Sequence, residues 1–288
     1  MTGATARFFA PTRAQADTVR EKAARLAASL RGLGRTLVAY SGGVDSAFLL
    51  AEAHRALGDD AVGVIARSAS LPESELRDAL AVAAARGIPV RVIETRELER
   101  ADYRANAGDR CYHCKSELFE RLEQTARAEG FASLAYGAVT DDLGDVRPGM
   151  RAAEEFRVRA PLLEAGLGKL EVRLLARRLG LPVWDKPQSA CLASRIPIGD
   201  EVTAEKLGQV ERAEASIRAR FGPRVLRVRH HGALALIEVG PEDLARMRAP
   251  DVLASISECL EPLGFTRVEL DERGYRRADP LPSRETED

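Results

Sequence analysis

Arg35-Thr36-Leu37-Val38-Ala39-Tyr40-Ser41-Gly42-Gly43-Val44-Asp45-Ser46-Ala47-Phe48-Leu49-Leu50, continuing to Leu57, is the stretch that decides the fold. Thr36 to Tyr40 is an apolar run of strand type, and from Ser46 onward apolar residues recur at helical spacing. Between the two, Gly42 and Gly43 let the backbone bend sharply and approach an anion. Ser41, Ser46 and the free N–H groups of the following helix can then donate to phosphate oxygens. The loop does not end in Gly-Lys-Ser/Thr, so no lysine is placed on terminal phosphates and cleavage to ADP is not implied. The bland alternative is a glycine-rich turn joining a strand to a helix.

Ser41 to Ser46 resembles the PP-loop, SGGxDS, of the adenine nucleotide alpha-hydrolase-like superfamily. The resemblance implies that Ser41, Gly42, Gly43, Val44, Asp45 and Ser46 grip the pyrophosphate of ATP, and that a substrate is adenylated with release of AMP.

At 288 residues the chain can bury two cores, and two domains are expected. A formal charge of -1 with 30% charged residues is a balanced surface that gives no reason to expect a polyanion, so nucleic acid is not an expected partner. No run approaches ~18 uninterrupted apolar residues, and no leader pattern opens the chain, so no membrane partner and a cytoplasmic location are expected.

Strand-like runs recur at Leu37 to Tyr40, Ala61 to Ile65, Val90 to Ile93 and Leu134 to Tyr136, with helical segments near Ser46 to Ala56, Glu73 to Arg86 and Cys114 to Glu129, behind a leading helix from Ala14. That alternation predicts an α/β fold, a parallel sheet with helices on both faces, and places the Ser41 to Ser46 loop at the carboxyl ends of the strands. A helix follows at Gly168 to Leu179, and Leu181 to Trp184 reads as a last short strand. Beyond the loop Asp185 to Gly199 come a helix from Thr203 to Arg220, a hairpin with His230-His231-Gly232 at its turn, two helices and a strand near Thr266 to Leu270, a smaller α/β unit. The expected divisions are 1–198, 199–278 and a polar, disordered tail 279–288; residues 1 to about 13 also look loose.

The cysteines are Cys111, Cys114, Cys191 and Cys259. Cys111-Tyr112-His113-Cys114 opens a helix, where the dipole, Arg110 and Lys115 would favour thiolates; zinc, redox and incidental roles all remain open for such a pair. Cys259 lies on the helical stripe Val252, Ile256, Cys259, Leu260, Leu263 and reads as a buried core thiol.

Four separated blocks, Ser41 to Ser46, Asp141 to Gly149, Lys186 to Arg195 and Arg227 to Gly232, make residues 36 to 270 resemble the LarE family of ATP-dependent sulfur transferases, which make the nickel-pincer nucleotide cofactor. The resemblance implies adenylation of the carboxylates of a pyridinium dicarboxylate mononucleotide and replacement of an oxygen of each by sulfur. It also implies that Cys191 handles the sulfur. Some members sacrifice that cysteine, leaving dehydroalanine, and lack a CxxC pair. Others use three cysteines to hold a [4Fe-4S] cluster whose open iron carries an extra sulfide. With Cys111, Cys114 and Cys191 present, the cluster form is expected. Family members assemble as oligomers, commonly hexamers; the sulfide donor is left open.

Asp45 can hold Mg²⁺ against the phosphates or cap the next helix. Asp141, Asp142 and Asp145 follow a strand-like run; Asp142 is carried as a metal candidate, against a solvated turn. Arg227 and Arg229 share one strand face and can grip a substrate phosphate, against a solvated basic edge, and Arg195 is a similar candidate. His230 and His231 receive no role. The rival readings are a PP-loop amide ligase or tRNA-thiolating enzyme, and an ATP sensor with a zinc-stabilised CxxC.

Overall fold

The computed structural model describes residues 13–143 and 148–275. Asp145, the tail from residue 279 and residues 1–12 lie outside the described residues. The main sheet is built from β1 (Thr36–Ala39), β2 (Ala61–Arg67), β3 (Val90–Glu94) and β4 (Ser133–Tyr136) in the order β3-β2-β1-β4, all parallel. Its connections are helical, as parallel pairing requires: α2 (Val44–Leu57) follows β1, α3 (Glu73–Ala84) follows β2, and α5 (Arg110–Glu129) leads into β4.

Alternation along β1 explains why helices are needed on both faces. Val38 and Tyr40 point to one core with α1 (Arg13–Arg31), α2, α3, α7 (Pro161–Glu164) and α8 (Lys169–Arg178); Leu37 and Ala39 point to the other, with α5 and α6 (Pro148–Glu155). Phe48, Leu49 and Leu50 of α2 are essentially sealed, and truncating such a residue to alanine costs about 2–5 kcal/mol. Gly63 lets α2 lie close on β2, since a Cβ there would stand 2.8 Å from Leu50 Cδ2. Among the described residues no helix is long and apolar enough to cross a membrane.

Leu181 to Trp184 is not a strand. Gly180 ends α8 at φ +71, Leu181 N–H returns to Ala176 O at 2.9 Å, and Trp184 N–H closes a turn on Leu181 O at 3.2 Å. Arg173 then donates to the carbonyls of Trp184 and Lys186, which a strand partner would otherwise have taken. The β4 edge is met instead by Arg159, whose N–H donates to Leu134 O while its carbonyl accepts from Tyr136 N–H.

The second sheet pairs β5 (Leu226–His231) antiparallel with β6 (Leu234–Val239), and β6 parallel with β7 (Arg267–Leu270). It packs with α9 (Ala204–Phe221), α10 (Pro241–Met247) and α11 (Pro250–Leu260). The hairpin turn is only Gly232 and Ala233, with Gly232 at φ +66. His230 and His231 therefore belong to β5, and His230 is buried. Its Nε2 stands 2.9 Å from Gln209 Oε1 and its ring meets Phe265 edge-on, so the expectation that both histidines lie in the turn does not hold. A further apolar cluster joins Tyr103 of α4 (Ala101–Ala105), Leu192 and Ala193 of the cysteine loop, and Leu207 and Val210 of α9.

Candidate functional site

The chain leaves the sheet after Tyr40, whose N–H makes the last ladder bond to Val64 O at 2.8 Å. Gly42 then takes φ +73, and a Cβ there would stand 2.7 Å from that of Ala79, so both conformation and space require glycine. Gly43 is the N-cap of α2 and Val44, buried, is its first residue. The first helical bond runs from Ala47 N–H to Gly43 O, which leaves the N–H groups of Val44, Asp45 and Ser46 at the open helix end. Ser46 Oγ donates to Gly43 O at 3.1 Å, accepts from Ser41 N–H at 3.1 Å and lies 3.0 Å from Ser41 Oγ. The two serines thus brace the loop around a cradle of donors suited to a phosphate group.

Asp45 is not the cap; it stands in the first turn of α2 with its carboxylate on Lys169 Nζ. Burial pushes its carboxyl pKa up, against the pull of Lys169. Its Oδ1 is buried with no hydrogen-bond partner among the described residues. An orphaned carboxylate oxygen beside a phosphate cradle fits Mg²⁺, which is held by one or two carboxylates together with phosphate oxygens. Asp142 lies close enough to oppose Asp45's ionisation, and its Oδ2 also accepts from Val139 N–H at 3.0 Å. Asp141 Oδ2 accepts from Lys169 N–H at 2.7 Å, holding the start of α8 against the strand-end loop.

Gly137, just past β4, backs the loop: a Cβ there would come within 2.9 Å of Ser46 N and 3.0 Å of Asp45 C. Neither Gly137 nor Lys169 was marked by local sequence pattern, because each acts across the fold on a residue far away in the chain.

The cysteine site lies at the same carboxyl edge. Leu192 N–H donates to Ser70 O at 2.8 Å, tying the Cys191 loop to the chain just past β2. Lys186 Nζ holds Glu75 Oε2 at 2.7 Å, and α3, which carries Glu75 and Ala79, also abuts Gly42. Cys111 is the second and Cys114 the fifth residue of α5; Cys111 is exposed, whereas Cys114 and Cys191 both pack on the cluster of Tyr103 and Leu192. Two of the three cysteines of the sequence reading, Cys114 and Cys191, thus border one cluster, and Cys111 lies three residues before Cys114 on the exposed side of the helix start. At Cys114 the helix dipole is opposed: burial, reinforced by Glu97, pushes the thiol pKa of the metal-free chain from 9.0 up to about 12.

Among the described residues no three His, Cys, Asp or Glu side chains converge tightly enough for a single metal ion. A cubane engages each thiolate through a different iron, so its ligands stand further apart than those of one ion. Three thiols with no histidine form a soft donor set that fits an iron–sulfur cluster.

Arg195, Arg227 and Arg229 meet beside this loop, but two of them are already paired. Arg195 forms a two-point contact with Glu214 (2.8 and 3.2 Å) and donates through Nη1 to the carbonyl of Cys191 at 3.0 Å. Arg229 forms another with Glu238 (3.0 and 2.9 Å) and donates to Ser194 O at 2.7 Å. Neither is the solvated basic edge that a surface strand would give. Arg227 is buried on Tyr275, its guanidinium carbon 4.4 Å from the ring centroid and Nη2 2.9 Å from the hydroxyl. Burial lowers its pKa, and the Arg195 and Arg229 charges lower it further. Cys259 is half-buried rather than buried, and accepts from Arg220 Nη1 at 3.1 Å. A cavity of about 280 Å³ opens next to Ser70, lined by Arg67, Ser68, Leu71, Thr95 and Glu211.

A serine-braced glycine loop at the carboxyl edge of a four-stranded parallel sheet defines a PP-loop nucleotide-binding enzyme. No family model matches the chain. It is 35% identical over 263 residues, 90% of this chain and 93% of the relative, to the pyridinium-3,5-bisthiocarboxylic acid mononucleotide synthase of Lactiplantibacillus plantarum. It is 44% identical over 244 residues, 85% of this chain and 91% of the relative, to an uncharacterized protein of Synechocystis. A tRNA-specific 2-thiouridylase, MnmA, of Azorhizobium caulinodans shares 32% identity over 238 residues, 69% of this chain and 60% of that protein. The chain belongs to the LarE family of ATP-dependent sulfurtransferases.

Proposed function

We propose that this enzyme adenylates the carboxylates of pyridinium-3,5-biscarboxylic acid mononucleotide and replaces an oxygen of each with sulfur, giving the thiocarboxylates of the nickel-pincer cofactor. The observation that carries this reading is the joining of two chemistries at one sheet edge. α3 lies against Gly42 of the phosphate cradle and holds Lys186 of the Cys191 loop, so an acyl-adenylate formed at the first is within the protein's reach of the second.

Carboxylate oxygen is a poor leaving group, and transfer to the α-phosphorus of ATP makes it part of AMP, a good one. The N–H groups of Val44, Asp45 and Ser46 and the hydroxyls of Ser41 and Ser46 hold the pyrophosphate as it departs. Asp45, through its free Oδ1, would hold Mg²⁺, with Asp142 as its neighbour, and Mg²⁺ would neutralise charge on the phosphates. Lys169 serves as the resident cation at Asp45. Arg227, which has no carboxylate within 4.0 Å among the described residues, is the guanidinium most available for the phosphate of the mononucleotide. Arg195 and Arg229 act by fixing the carbonyls of Cys191 and Ser194, and so the position of the sulfur-handling loop.

Cys111, Cys114 and Cys191 would ligate a [4Fe-4S] cluster, which when bound supplies an iron without a cysteine ligand, where sulfide can be carried. In this reading residues 1–198 form the ATP unit, 199–278 a unit for substrate binding and assembly, and the enzyme works in the cytoplasm as a homo-oligomer without nucleic acid or membrane. The test is AMP formation from MgATP by protein prepared without oxygen. AMP release that depends on the dicarboxylate mononucleotide supports the proposal, and ATP turnover indifferent to that substrate rejects it.

A further inference from the structure

Glu97 has no place in the chemistry above, yet it is one of the least accessible carboxylates of the chain, at 2% exposure. It sits in the short turn Glu97–Glu99 between β3 and α4, and the next residue, Leu98, packs with Cys114 and Cys191 on the Tyr103 cluster. Its Oε1 is buried with no hydrogen-bond partner among the described residues. The arginines nearest in sequence are committed to other carboxylates. Arg96 faces Glu99 at 3.8 Å, Arg100 faces Glu117 and Glu120 at 3.6 and 3.4 Å, and Arg104 faces Glu201 at 3.2 Å. A carboxylate oxygen buried without a cation or a donor is unfavourable unless something absent from the protein alone completes it. The turn is fastened to the helix of Cys111 and Cys114 on both sides, because the Arg96 N–H donates to Glu117 Oε1 at 3.2 Å and Arg100 faces the same carboxylate, one helical turn beyond Cys114.

We propose that Glu97 is the fourth protein ligand of that site, bound through its carboxylate to the iron that the three cysteines leave open, and that it yields this position to hydrosulfide. The inference rests on the [4Fe-4S] reading of Cys111, Cys114 and Cys191. The exchange is a ligand substitution: one carboxylate–iron bond breaks as one sulfur–iron bond forms, each ligand keeps its electron pair, no oxidation state changes, and the proton stays on sulfur. A carboxylate suits this role because it is a harder and weaker ligand for iron than a thiolate, holding the open position until sulfide arrives.

The experiment uses full-length protein reconstituted with iron and sulfide without oxygen, as wild type, Glu97→Gln and Glu97→Cys. Iron and labile sulfide are counted first, then Mössbauer spectra are taken during titration with sodium sulfide. The wild type should show one iron distinct from the other three, and Glu97→Gln should change that iron's signal and lower the half-saturating sulfide about ten-fold, equivalent to about 1.4 kcal/mol. Glu97→Cys should give four like irons and no response to sulfide. Full clusters whose distinct iron and sulfide response are the same in all three proteins would overturn the assignment of Glu97 while leaving the cluster reading intact. Failure of the wild type to assemble any cluster would overturn both.

Discussion

Replacing Glu214 by alanine tests whether the arginines beside Cys191 are structural. Glu214 is 5% exposed and accepts from Arg195 Nε and Nη2, from Arg218 Nη2 at 3.3 Å and from the Val228 N–H at 3.1 Å. Without it, the guanidinium of Arg195, whose side chain is 3% exposed, stays buried beside Arg227 and Arg229 with no carboxylate of its own. Removing one partner of a buried ion pair costs about 3–5 kcal/mol, because the remaining charge is uncompensated. At about 2 °C per kcal/mol for a chain of this length, the Tm should fall by roughly 6–10 °C. The control is Glu269→Ala, whose partner Arg267 is exposed; that change should cost below about 1 kcal/mol. The double variant Arg195→Met/Glu214→Leu removes both charges and should recover much of the loss. Melting by circular dichroism at matched protein concentration measures all three. A Glu214→Ala protein that melts with the wild type would refute the argument and return Arg195 to the pool of free substrate-binding guanidiniums.

Gly42→Ala forces a side chain into φ +73 and onto Ala79, so it should abolish ATP binding, read by isothermal calorimetry, with a stability loss of about 1–3 kcal/mol. Lys169→Met removes the cation from Asp45 and should weaken retention of MgATP while making free Mg²⁺ bind more readily, both measurable by the same titrations. Cys114 holds its proton more tightly in the folded chain, so the folded state binds more protons than the unfolded one between pH 9 and about 12. Stability of the metal-free protein should fall as pH rises through that window, and Cys114→Ala should flatten the fall, as followed by urea denaturation at stepped pH.

The fold was legible where short-range patterns settle it. An apolar run, two glycines and an amphipathic helix suffice for the phosphate loop, and the strand–helix alternation gives the parallel sheet. Reading failed where the decisive partner is distant or the local signal was passed over. Pro182 cannot donate to a ladder and stood against the strand at Leu181 to Trp184. Leu226, Val228 and His230 share one parity, so a two-residue turn at Gly232 already sends His230 to the core side of the sheet. The CxxC pair stands at the start of α5 as its spacing implies, but the half-buried setting of Cys114 beside Leu98 and Tyr103 comes from chain far from the pair. Lys169 and Gly137 carry no motif, and only the folded chain brings them to Asp45 and Ser46.

The cluster reading requires repeated, ATP-driven sulfur transfer in which Cys191 is kept. Its most direct test is to count thiocarboxylate and AMP formed per chain by protein reconstituted without oxygen and supplied with the dicarboxylate mononucleotide, MgATP and sulfide, and then to take the mass of the protein itself. Several products per chain, AMP in step with product, and an unaltered Cys191 are expected. Product capped at one sulfur per chain with dehydroalanine at position 191 would contradict it.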